Sequence, residues 1–138
     1  MVLDTNVLVA ALRSPHGASS ALIAAIPSPA WTPVLSVPLY IEYQDVLLRP
    51  GMVPSTLTPE DILAFCRYLA SVSELQEIYF LWRPHLRDAG DDMVFELAAA
   101  AQVRYIVTHN VRDFDGVAEF GITAVTPADF LTLVRRLP

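Results

Sequence analysis

The chain has no lysine, one cysteine and five glycines among its 138 residues. A lone cysteine, Cys66, excludes a disulfide framework and any thiolate metal cluster. A formal charge of -6, from 15 acids against nine bases, excludes a broadly basic surface that binds nucleic acid through phosphate contacts alone. All nine bases are arginine, whose fork suits phosphate, although a lysine-free chain also follows from genome base composition. No run of about eighteen uncharged apolar residues occurs, because Pro27, Pro29, Pro33 and Pro38 interrupt the Ala/Leu-rich stretch that comes closest. The opening Val2-Leu3 is followed by an acid and lacks the basic-then-apolar order of a secretory signal. A cytoplasmic protein without membrane segments is therefore expected. With 54% hydrophobic against 17% charged residues, the chain has enough apolar side chain to bury a core, which excludes intrinsic disorder.

What is present is an alternation of short β-rich runs and helical patterns. Val2-Leu3-Asp4 reads as a strand that turns into a helix near Asp4, and Ser14-Pro15-His16-Gly17 breaks that helix. Ala18 to Ile26 reads as a second helix and Trp31 to Ser36 as a second strand. Ser36 can cap a third helix that carries Pro38 in its first turn and runs to about Arg49, where Pro50-Gly51 stops it. Thr58-Pro59-Glu60-Asp61 starts a fourth, to about Val72. Leu75 to Leu81 is a third strand candidate, followed by a loop from Arg83 to Gly90 and a helix from about Asp91 to Gln102. Tyr105 to Thr108 is the clearest strand; Ile122 to Val125 is the last, before a final helix that begins at Thr126-Pro127-Ala128-Asp129 and reaches about Leu137. Alternation of this kind predicts a single domain over residues 1–138. Its expected architecture is a three-layer α/β/α sandwich around a central parallel sheet of four or five strands.

Ligands of open parallel sheets bind beyond the carboxyl ends of the strands. Asp4 lies at such an end, where it can be a helix N-cap or a ligand. On the third helix Leu39, Tyr43, Val46 and Leu47 form an apolar stripe, and at ~100° per residue Glu42 falls on its edge. A carboxylate there stands at a cleft rim or lifts its head to solvent. Asp91 precedes Val94, Phe95 and Ala98 at helical spacing and so starts a buried face, unless it serves as an N-cap after an Asx turn at Asp88-Ala89-Gly90. Asp92 and Glu96 are expected to point outward, Asp92 favouring the helix dipole. Asn110 is placed like Asp4, just past a strand, with Asp113 a turn later; both suit local backbone bonding as well as a site. His109 reads as structural or solvated. Oxygen donors without cysteine or paired histidines select a hard cation such as Mg²⁺ or Mn²⁺. Such ions serve phosphodiester hydrolysis, activating a water and neutralising charge on the phosphate.

Four segments carry a resemblance: Val2 to Val9, Ser36 to Tyr43, Asp88 to Asp92, and Ile106 to Asn110. Their order and spacing resemble PIN-domain nucleases over nearly the whole chain, most of all the toxin components of bacterial or archaeal toxin–antitoxin pairs. The resemblance implies a metal-dependent endoribonuclease in which Asp4, Glu42 and Asp91 bind one or two Mg²⁺ or Mn²⁺ ions and carry catalysis, Asp4 centrally. It implies that Thr5, Asn6 and Thr108 support the acids by hydrogen bonding. Where the family often has a further acid this chain has Asn110, a neutral oxygen donor, so a second ion would be held weakly or through water, with Asp92 or Asp113 compensating. Implied partners are RNA, a cognate antitoxin and a second copy of the chain. Tyr79, Phe80, Leu81 and Trp82 are apolar candidates for a partner surface but read first as a buried strand. A phosphatase of the haloacid-dehalogenase type needs an acid where Asn6 stands, which argues against it. A degenerate fold that only binds antitoxin or RNA is the alternative that Asn110 keeps open.

Overall fold

A computed structural model describes residues 1–78 and 89–136. Its strands are short: β1 Val2–Leu3, β2 Val34–Leu35, β3 Glu74–Leu75, β4 Tyr105–Val107 and β5 Thr123–Val125. The helices are α1 Thr5–Arg13, α2 Ala18–Ala24, α3 Val37–Leu47, α4 Pro59–Ser71, α5 Ala89–Ala101 and α6 Pro127–Arg135. Between β4 and β5 the chain adds a 3-10 segment, Val111–Phe120, which the sequence pattern does not announce.

Every strand pair among the described residues is parallel. β4 lies between β1 and β5, with Val2 opposite Ile106 and Tyr105 opposite Thr123. β2 pairs with β3, Val34 opposite Glu74. The backbone N–H of Val34 donates to the Met1 carbonyl at 2.9 Å, joining the two groups edge to edge in the order β3-β2-β1-β4-β5. Helices cover this layer as the expected α/β/α arrangement requires. The core is apolar and continuous, running from Val2, Leu3, Val7 and Leu8 through Leu35, Leu39 and Tyr43 to Phe95, Leu97, Ile106 and Val107. No helix among the described residues is long and apolar enough to cross a membrane.

Local chemistry sets most boundaries. Ser36 caps α3 by accepting from Leu39 N, with Pro38 in the first turn as expected. Thr58 and Asp61 form a reciprocal capping box at α4, and Thr126 caps α6. Helix α5 closes in a Schellman turn, with Val103 N donating to Ala98 O at 3.1 Å and Gln102 N to Ala99 O at 3.3 Å. Gln102 takes the left-handed position itself, at φ 55°.

Three expectations change. Helix α5 starts at Ala89 rather than Asp91, so the turn expected at Asp88-Ala89-Gly90 is helical at its last two positions, while Asp88 lies outside the described residues. The third strand is confined to Glu74–Leu75; its expected extension to Leu81, with the apolar candidates Tyr79 to Trp82, also lies outside them. Asp92 and Glu96 do not face outward: they are 3% and 4% exposed, whereas Asp91 is only half-buried. The expectation assumed a one-sided helix. Instead α5 packs against β1, β2, β4, α3 and the 3-10 segment, and residues 94–98 are buried without interruption. Among the described residues no buried side-chain nitrogen or oxygen lacks a hydrogen-bond partner.

Candidate functional site

Asp4 follows β1 directly and precedes α1, and its N–H continues the ladder by donating to Val107 O at 2.9 Å. It occupies the N-cap position with extended backbone, yet its side chain makes no capping hydrogen bond. The carboxylate turns instead across the sheet, where Thr108 Oγ1 donates to Asp4 Oδ2 at 2.7 Å. Asp4 is 7% exposed and Thr108 fully buried. A preferred capping residue that leaves its cap unmade to meet a neighbouring strand end has been placed by something other than helix propensity.

Thr108 is the hub of this edge. Its hydroxyl gives its one hydrogen to Asp4 and accepts from Asn6 Nδ2 at 3.3 Å and Asn110 N at 3.0 Å, which uses the full capacity of a hydroxyl. Asn6 bridges onward, its Oδ1 accepting from His109 N at 3.2 Å. That bond to a backbone donor fixes which way the amide points. His109 in turn places Nε2 2.7 Å from Ser19 Oγ, so the β4 end is tied to α2 through a buried serine. Neither this clasp nor any role for Ser19 was visible from the sequence, because the partners stand 90 residues apart. Thr5 is buried in the first turn of α1.

The other two acids stand on helices α3 and α5. α3 leaves β2 at its carboxyl end through Ser36, and Glu42 lies half-buried about one and a half turns along it. α5 ends three residues before the amino end of β4 and packs along β1 and β4, so its first turn, with Asp91, lies toward their carboxyl ends. Asn110 is exposed and, although it stands at the N-cap of the 3-10 segment, its side chain makes no capping bond. Asp113 is exposed in that segment. Tyr43, expected only as core, comes into this neighbourhood: its hydroxyl donates to the Leu3 carbonyl. Burial first, and then the charges of Asp4 and Cys66, push its phenol well above the usual tyrosine range. A hydroxyl on an otherwise aliphatic stripe was the available signal, since such a group must find an acceptor inside. A hollow of about 680 Å³ lies elsewhere, lined by Gln102, Val103 and Arg104 before β4 and by Gly121 and Ile122 before β5. Residues 76–78 after β3 and part of α5 line it too, and Asp4 does not.

A family model described as PIN domain matches residues 1–112. The chain belongs to the PIN domain family. PIN domains are generally nucleases and usually bind divalent metals. A comparison with curated proteins finds no match. In this PIN domain the donors suit a hard ion in kind, all being oxygens of Asp, Glu, Asn and Thr. They are not gathered, however. Among the described residues no three His, Cys, Asp or Glu side chains stand close enough together to hold a metal ion. Carboxylates brought to ligand distance repel one another unless a cation lies between them.

Proposed function

We propose that this PIN domain is a Mg²⁺- or Mn²⁺-dependent endoribonuclease acting as the toxin of a toxin–antitoxin pair, with Asp4, Glu42 and Asp91 as the residues that would hold the ion. The observation that carries the reading is the Asp4 carboxylate, turned away from its own helix and oriented by the Thr108 hydroxyl at the carboxyl edge of the sheet. A hard divalent ion there would supply water activation and charge neutralisation at a phosphodiester. The chain's own part is to fix Asp4 through Thr108, Asn6 and Asn110 N–H, with Glu42 and Asp91 to be brought to it from α3 and α5. The exposed apolar side chains Val37, Ile41 and Leu48 on the outer side of α3 support a protein partner, antitoxin or second copy. The cytoplasm is the proposed location.

The deciding experiment incubates the purified chain with RNA and Mn²⁺ beside Asp4→Asn, which keeps the shape and removes the charge. Cleavage by the wild type and a loss of at least two orders of magnitude in the variant are expected. Equal cleavage by both rejects the assignment. Asn110 and the ungathered donors favour one other reading, a degenerate PIN domain that binds RNA or antitoxin without cutting. RNA binding by both proteins with cleavage by neither would establish it.

A further inference from the structure

Tyr43 carries a buried hydroxyl to which neither sequence nor family assigns a part. Its ring is 1% exposed, on the α3 stripe between Leu39 and Leu47, and has no room to swing. The acceptor it meets is unusual. Where β1 meets β2, Val34 N donates to Met1 O at 2.9 Å. Donors on one strand of a parallel ladder recur every second residue, so the next bond donated from this side would run from Ser36 N to Leu3 O. There the chain leaves the sheet, Ser36 becoming the cap of α3. The Leu3 carbonyl accepts the Tyr43 hydroxyl at 2.5 Å, and a side chain thus supplies the position of the missing rung. Leu3 is bonded to Asp4 and Tyr43 to Glu42. One hydrogen bond therefore ties the two acid-bearing segments at the residues beside their acids.

We propose that Tyr43 is a positioning residue, whose hydrogen bond to the Leu3 carbonyl sets how the Asp4 and Glu42 carboxylates stand to one another across the junction of β1 and α3. This rests on the reading of those acids as ion-holding and deepens it. Tyr43 touches neither ion nor substrate; it acts through the backbone.

The test uses the full chain and its Tyr43→Phe variant, which keeps the ring and deletes the oxygen. Mn²⁺ alone is titrated, with free Mn²⁺ followed by electron paramagnetic resonance, and RNA cleavage is measured at saturating Mn²⁺. Mn²⁺ affinity is expected to fall about tenfold, the low end of what loss of a supporting hydrogen bond does at metal sites, and kcat to fall with KM for RNA unchanged. Leu47→Val, which trims the same stripe one turn on, is expected to lower the melting temperature and leave Mn²⁺ affinity alone. Equal affinity and kcat in wild type and Tyr43→Phe would overturn the inference and leave the metal reading standing. An equal loss in Leu47→Val would overturn it too, as general loosening. No Mn²⁺ binding by the wild type defeats the metal reading and the inference together. Should Tyr43→Phe fail to fold, Mg²⁺ titration of the wild type, read at the Tyr43 ring by NMR, decides: a shift that saturates with Mg²⁺ supports the tie, and an unmoved ring overturns it.

Discussion

Thr108 concentrates more of this edge in one atom than any other residue described. Its Oγ1 serves Asp4, Asn6 and the Asn110 backbone at once. Thr108→Val keeps the volume and withdraws all three contacts inside the protein, so a loss of about 1–3 kcal/mol in urea unfolding is expected from groups deprived of a buried partner. Thr108→Ser keeps the hydroxyl and should recover most of it; equal losses in the two variants would assign the effect to packing. Single residues were legible in the sequence where their role is local or periodic. Asp4 and Asn110 stand just past strands, and Glu42 is half-buried on α3, in the positions that the pattern gives them. Asp92 and Glu96 are not where it puts them, because one-sided periodicity fails for a helix enclosed by three strands and two further elements. Tyr43, Ser19 and His109 were hidden for another reason: their partners are 40 and 90 residues away in sequence.

At the level of elements, caps were the most readable signals. Ser36, Thr58 and Thr126 each start the helix that their chemistry requires. Strand lengths were overestimated, β2 above all, since β propensity marks where a strand can run and hydrogen bonding ends it after two residues. The end of α5 carries a local conflict of the opposite kind. Gln102 adopts φ 55° in the Schellman turn, a conformation that favours glycine and costs a side-chain residue about 1–2 kcal/mol. Gln102 is exposed, so little packing offsets it. Gln102→Gly is therefore expected to stabilise the protein by about 1 kcal/mol after the added chain entropy of glycine, read as a higher urea midpoint with unchanged slope. A lower midpoint would show that the glutamine side chain holds the turn.

For the molecule as a whole, the parallel order with helices outside followed from alternation alone, and the sequence motifs pointed to the family that the matched model establishes. What alternation could not supply is how near the acids come to one another, because that depends on the pitch and rotation of α3 and α5 against a shared sheet. The same core predicts a pH dependence. Cys66 is fully buried on α4, and burial raises its thiol above the ordinary value, against a smaller lowering by Arg67. The unfolded thiol ionises near pH ~8.5 while the folded one still holds its proton. The stabilisation is thus complete below that pH and is lost as pH rises above it, at up to about 1.4 kcal/mol per pH unit until the folded thiol also ionises. Urea unfolding between pH 7.5 and 9.5 should show the decline, and Cys66→Ala, though less stable throughout, should flatten it. A slope unaffected by that substitution would assign it to other groups.

A single thiol buried on α4 also makes the protein its own stopwatch. A chromophoric thiol reagent can colour only those molecules that have momentarily opened, so the rate of colour development counts openings per unit time in native buffer. Run with and without Mn²⁺, with no tag or denaturant added, the same cuvette would time how far an ion held at Asp4 slows the opening of α4.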